Sequence, residues 1–331
     1  MGWLYRLASV KLTLIGMVLL CIGAILSYGS KFDFSVWVLV LPLCWLSINL
    51  LAAIATNRKI NRQPGLLVFH IGLLGIAVLA AIGRLTHLDA QVEILTGQAF
   101  EPALMQEVKK GPWHPWGLAG GEFIQDQFIV NYEPGLMRGA TYSHVYVRQP
   151  DGSREHRVVG DDKPLLLGDY RFYTSFNKGF APILTWLPDE GAPVTGSVNM
   201  PSYPLYEYKQ KNAWTPPGTK EEIEFWLTLK TPYTESDYWS LQQESSSGVL
   251  VVTAGDQRVE LNPGDEVQLA HGRLRYDELR MWMGYTIFYD PTLRWLFFVS
   301  VMAVLGLGWH LWQKTAQALP MPSAGNEGET R

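Results

Sequence analysis

Four long apolar runs constrain this chain more than anything else in it. They lie at about 12–28 (LTLIGMVLLCIGAILSY), 34–55, 65–83 and 293–312, and each is long enough to cross a bilayer as a helix. Within lipid every backbone polar group must be bonded inside the segment, so such runs have to be helical. The first run has no small-x-small cleavage site and leads almost directly into the second, so it reads as a retained span and not as a removed signal. The stretch between the third and fourth runs has the composition of a soluble domain. The 331 residues carry a net charge of −4 with no basic block, which excludes nucleic acid as a partner.

The placement of cations sets an expected orientation. Arg6 and Lys11 precede the first run, Arg58, Lys59 and Arg62 crowd the second loop, and Lys314 follows the fourth run, whereas Lys31 is offset by Asp33 in the first loop. Cytoplasmic loops hold the excess of Lys and Arg, so both termini are expected inside. The expected layout is three spans within residues 1–83, an extracytoplasmic domain over 84–292, the fourth span at 293–312 and a disordered cytoplasmic tail over 313–331, all in the cell's inner membrane. Gly16, Gly23, Gly72, Gly75 and Gly83 suit close helix packing, and Asn49 needs a polar partner within the membrane. Asp290-Pro291 reads as a helix start, with Asp as N-cap and Pro at the first helical position.

In the 84–292 segment the apolar period changes from helical to alternating. Hairpins are expected where SHVYVRQ (143–149) and REHRVV (154–159) flank Pro150-Asp151-Gly152, and where GVLVVTA (248–254) and QRVEL (257–261) flank Gly255-Asp256. FIVNY (128–132), YRFYTSF (170–176), IEFWLTL (223–229), DEVQL (265–269) and TIFYD (286–290) are further strand candidates; 234–246 is the expected helical exception and 188–220 an exposed loop. The fold class is thus membrane α + β: four transmembrane helices with a large sandwich- or barrel-like β-rich domain.

Cys21 and Cys44 both lie in apolar runs, so the β-rich segment has neither a disulfide nor a Cys-x-x-Cys. Thiol exchange and covalent haem attachment to this chain are excluded with it. Hydrolase, phosphate-loop and dinucleotide motifs are absent, and no residue stands out as catalytic. The informative residues are histidines near the membrane. His70 lies inside the third run and His310 near the inner end of the fourth, which puts the two imidazoles at similar expected depth. An ionisable residue in a span has a functional reason or a buried partner, and imidazole is the usual axial ligand of haem iron. For His70 the alternatives are an iron ligand and a neutral side chain bonded to a neighbouring helix, for instance to Asn49. His310, between Trp309 and Trp312, reads as a haem ligand or as an interfacial side chain. Arg84 and His87, beyond the outer end of the third run, suit haem propionates or an iron at an outer site, or else a cation anchor. His114, in PWHPWG (112–117), suits contact with a flat macrocycle or a packed aromatic loop.

The layout resembles the ResB (CcsB) proteins of system II cytochrome c biogenesis. The residues that carry the resemblance are Ala8-Ser9-Val10-Lys11-Leu12, Ser47-Ile48-Asn49-Leu50-Leu51, Val68-Phe69-His70-Ile71-Gly72-Leu73-Leu74, Pro164-Leu165, Gly168-Asp169-Tyr170-Arg171-Phe172-Tyr173, Gly179-Phe180-Ala181-Pro182 and Gly284-Tyr285-Thr286-Ile287-Phe288-Tyr289-Asp290-Pro291, in that order around four spans. The resemblance implies a membrane subunit that helps carry haem b outward and deliver it to a ResC/CcsA-type partner, which joins it to an apocytochrome c bearing Cys-x-x-Cys-His. It implies His70 as an axial iron ligand, a non-catalytic part in a haem lyase complex, and contact with lipid and with thiol-reducing proteins. His310, His87, Arg84 and His114 match no family motif. Two other readings stay open: a haem-free scaffold that docks a client, and a b-type haem electron-transfer subunit using His70 and His310.

Overall fold

A computed structural model describes residues 2–28, 35–203, 210–230, 236–242 and 247–318. The chain divides into a helical unit (1–87, 110–115 and 290–331) and a β unit (88–109 and 116–289).

The helical unit holds α1 (Gly2–Leu7), α2 (Val10–Tyr28), α3 (Trp37–Thr56), α4 (Arg58–Arg62), α5 (Pro64–Thr86) and α6 (Leu293–Ala318). Of these α2, α3, α5 and α6 are long and apolar enough to cross a membrane. Small residues set their packing. A methyl group at Gly16 of α2 would lie 2.7 Å from a Leu46 methyl of α3. Along the α5–α6 seam, a methyl at Gly65 would lie 2.6 Å from the His310 nitrogen, one at Gly72 2.6 Å from the Ala303 Cβ, and one at Gly306 2.6 Å from the Phe69 nitrogen. Only glycine permits this backbone approach, the usual device where helices associate in lipid. Asn49 finds its partners on another part of the chain: its amide donates to the Leu7 carbonyl and, at 3.2 Å, to that of Ser9, and it accepts from the Thr13 hydroxyl at 2.7 Å. It thereby ties α3 to the junction where α1 gives way to α2. The start of α6 differs from the sequence reading. Asp290 accepts from the Thr292 backbone N–H at 2.8 Å, the Thr292 carbonyl accepts from Leu296, and the helix begins at Leu293, two residues later than the Asp-Pro signal suggests.

Among the described residues the β unit forms three sheets built mainly of antiparallel pairs. The largest runs β2 (Met105–Lys110), β1 (Leu88–Leu95), β15 (Gly272–Tyr289), β7 (Tyr170–Pro188), β6 (Leu165–Leu167), with β14 (Glu266–Leu269) on β15 and β8 (Val194–Ser197) on β7. The second is β11 (Trp239–Leu241), β3 (Phe123–Glu133), β4 (Met137–Arg148), β5 (Arg154–Gly160); the third is β13 (Gln257–Leu261), β12 (Gly248–Ala254), β10 (Ile223–Leu229), β9 (Lys211–Trp214). Alternation dictates the core: β1 buries Leu88, Ala90, Val92 and Ile94 while Gln91 faces water. Phe100, Phe123 and Phe172 meet with ring centroids 5.3–5.4 Å apart. The helix expected over 234–246 is not formed: Trp239–Leu241 is a strand paired with Asn131 and its neighbours, and 234–235 and 243–246 lie outside the described residues. The 188–220 stretch is likewise not one loop, since it carries β8 and β9. Of the tail expected to be disordered over 313–331, residues 313–318 instead continue α6, and those from 319 onward lie outside the described residues.

Candidate functional site

Pro64 occupies the first turn of α5, where its missing N–H costs nothing, and His70 follows in the next turns. The His70 Nδ1 lies 2.7 Å from the Leu66 carbonyl of its own helix. A carbonyl only accepts, so Nδ1 carries a proton, and in the neutral ring Nε2 keeps its lone pair. That nitrogen has no hydrogen-bond partner among the described residues; in particular it is not bonded to Asn49, whose three contacts are all made elsewhere. A backbone bond that fixes the tautomer and orients the ring is the usual support of a metal-ligating imidazole.

His70 faces away from the α5–α6 seam. Counting 100° per residue, it stands about 160° from Gly72 and shares a stripe with Leu74, Ala77, Ala81 and Arg84. His310 does the reverse. It is 9% exposed, on the stripe Val299, Ala303, Gly306, His310 that packs on α5. Its backbone sits against Gly65, five residues before His70, or about 7.5 Å along the helix axis. The two residues therefore sit on different faces, with backbones offset along the helices. The register set by the glycines turns His310 into the seam and His70 away from it.

At the other end of α5 the chain builds a cap that the sequence did not signal. Residues 110–115 fold back on the last carbonyls of the helix. Gly111 N–H donates to His87 and Trp113 N–H to Leu85, each at 2.9 Å, and His114 Nδ1 lies 2.8 Å from the Thr86 carbonyl. His87 Nδ1 in turn lies 2.7 Å from the Arg84 carbonyl. The helix end thus has its orphan acceptors satisfied by imidazole and backbone donors. Gly111 is required, because a Cβ there would fall onto the Leu85 carbonyl. His114 is held below the usual histidine range, by burial first and by the nearby Lys110 and His87 charges, against the opposing Thr86 bond. Trp113 and Trp116 are exposed, so PWHPWG is not a packed aromatic loop. Arg84 is exposed with no ion pair among the described residues. The structure thus brings Arg84, His87 and His114 together at one helix end, while His70 lies fourteen residues from Arg84 at the other end of the shared stripe and His310 lies in the seam.

No curated protein matches the chain. Among solved structures it is similar to "Cytochrome c Heme Lyase CcmF", at 12% identity and a TM-score of 0.29, over 92% of this chain and 35% of that one. The chain thus spans about a third of that protein's length. Residues 50–202, from the end of α3 through α5 and past β8, match the model of the ResB-like family.

Proposed function

We propose that this chain is a membrane subunit of a cytochrome c biogenesis system, in which His70 holds the iron of haem b on its way to a separate ResC/CcsA-type partner. The observation that carries the reading is the free Nε2 of His70, with Nδ1 tied to Leu66 and the ring turned from the α5–α6 seam. These atoms fit an axial iron ligand. The bound haem would supply the porphyrin that the partner joins to an apocytochrome bearing Cys-x-x-Cys-His. His70 offers one imidazole, so a second axial ligand is the partner's to give. The cation-rich α4 and the loop around it are assigned to the cytoplasm, and the β unit to the extracytoplasmic side of the inner membrane. There the β unit serves as a platform for the apocytochrome, since an edge strand such as β5, which pairs with β4 alone among the described residues, can accept an extended peptide.

The test is an absorbance spectrum of the chain purified with its partner. A Soret band is expected, lost in His70→Gly and restored when imidazole is added to that variant. A full-strength band in His70→Gly would remove iron ligation from this residue, and a colourless native complex would leave the chain a haem-free scaffold.

A further inference from the structure

The solvent face of the β11–β3–β4–β5 sheet carries a pair of histidines that the haem reading does not use. Tyr146 of β4 stands opposite His156 of β5, and His144 opposite Val158, so the His144 ring reaches diagonally to His156. The ring centroids are 5.1 Å apart with planes at 28°, and His144 Nδ1 lies 3.0 Å from His156 Nε2. Neither ring has another hydrogen-bond partner among the described residues. His156 is exposed and also lines an open cavity of about 510 Å³ beside β5, together with Arg157, Lys163 and Leu165.

We propose that His144 and His156 form a binding site for one divalent first-row transition ion, Cu²⁺ in preference to Zn²⁺. Imidazole nitrogens bind such ions at about 2.0–2.1 Å. Two of them 3.0 Å apart subtend roughly 90–100° at a shared ion. That is the angle between neighbouring ligands in a square-planar or tetragonal site, which suits Cu²⁺; a tetrahedral Zn²⁺ site needs about 3.4 Å between the nitrogens. Among neutral imidazoles, one proton now bridges the pair. Moving it to the other nitrogen of the same ring frees both facing lone pairs with no net change in charge. Burial first and the neighbouring His156 second hold His144 below the usual histidine range, against the pull of Asp126 in the β3 bulge. No group of three or more His, Cys, Asp or Glu side chains converges among the described residues, so water and solutes complete the coordination.

The site does not depend on the haem-handling role. The test uses the full chain in detergent at neutral pH, titrated with a copper(II) salt alone and followed by calorimetry and electron paramagnetic resonance. One Cu²⁺ per chain is expected, with coupling to two nitrogens. His144→Gln and His156→Gln, which keep polarity and approximate size, are each expected to weaken binding by at least about tenfold, and exposed His271→Gln to leave it unchanged. Melting curves establish that each variant is folded. Unchanged binding in both variants, loss in only one of them, or no binding by the native chain below about 1 mM would each overturn the site.

Discussion

A histidine in an apolar span is kept there by packing or by a ligand, and the two span histidines of this chain differ in what they leave over. His310 is enclosed in the α5–α6 seam, whereas His70 is half-buried, has its tautomer fixed by Leu66 and keeps one nitrogen free. His310→Leu is therefore expected to leave the Soret band of the purified complex unchanged; loss of the band equal to that in His70→Gly would revive a two-histidine iron within this chain. A buried lysine belongs to the β unit. Lys178 is 1% exposed, donates to the Thr141 hydroxyl at 3.1 Å, and is pushed down to about 7, by burial first and by the adjacent Arg138 second, against the pull of Asp161. The sign of its linkage follows from that depression. Above pH 10.5 the amine is neutral in both states; as pH falls from 10.5 to about 7 only the unfolded chain takes up the proton, so stability is lost across that window, and the loss is complete below it. Lys178→Met is expected to melt at a higher temperature than the native chain near neutrality, with a gap that narrows as pH approaches 10.5. A gap that does not change with pH would show that the lysine is charged or neutral alike in both states.

Among the elements, those with local turn chemistry were legible in the sequence. Pro150-Asp151-Gly152 joins β4 to β5 with Gly152 at φ 84°, and Gly255, at φ 55°, opens the two-residue turn between β12 and β13. In the first half of β15, Arg273 and Arg275 alternate with buried Leu274 and Tyr276, but the adjacent Asp277-Glu278 at a bulge breaks the period and hides the long strand. Residues 239–241 were misread because a three-residue strand is fixed by its partner β3 and not by its own pattern. The strap over the end of α5 had no signal either, since what makes it a cap is the long-range match between its N–H groups and the Leu85 and His87 carbonyls. Gly111→Ala tests that match. The added Cβ collides with backbone that cannot yield, and a cost of about 1–3 kcal/mol is expected, read as faster proteolysis within 110–115 and a lower melting temperature. In the helical unit, Gly72→Leu is expected to separate α5 from α6, because the Gly72–Ala303 approach leaves no room for a side chain; a melting curve matching the native one would mean the seam is looser than its glycines suggest.

At the scale of the whole molecule, hydropathy alone carried the four spans, because lipid leaves a run of apolar residues no fold other than a helix. Sheet order did not follow in the same way. β1 pairs with β15 from Leu88↔Tyr289 to Leu95↔Trp282, a register between segments far apart in sequence that only core packing selects. That pairing joins the strands through which the chain enters and leaves the β unit, directly after α5 and directly before α6. The two helices are antiparallel, with Gly83 beside Thr292 at one end and Gly65 beside His310 at the other, so both connections leave from the same end of the pair. The cations of Arg58, Lys59 and Arg62 stand at the opposite end, just before Pro64. If the positive-inside bias governs insertion, the β12–β13 turn and α4 must be on opposite sides of the membrane. Single cysteines settle this once the native pair, Cys21 and Cys44, is replaced by alanine. A membrane-impermeant maleimide applied to spheroplasts is expected to label Asp256→Cys at once and Lys59→Cys only after lysis. The reverse pattern would put the β unit in the cytoplasm, out of reach of an exported apocytochrome, and would end the proposed function even if His70 proved to bind haem.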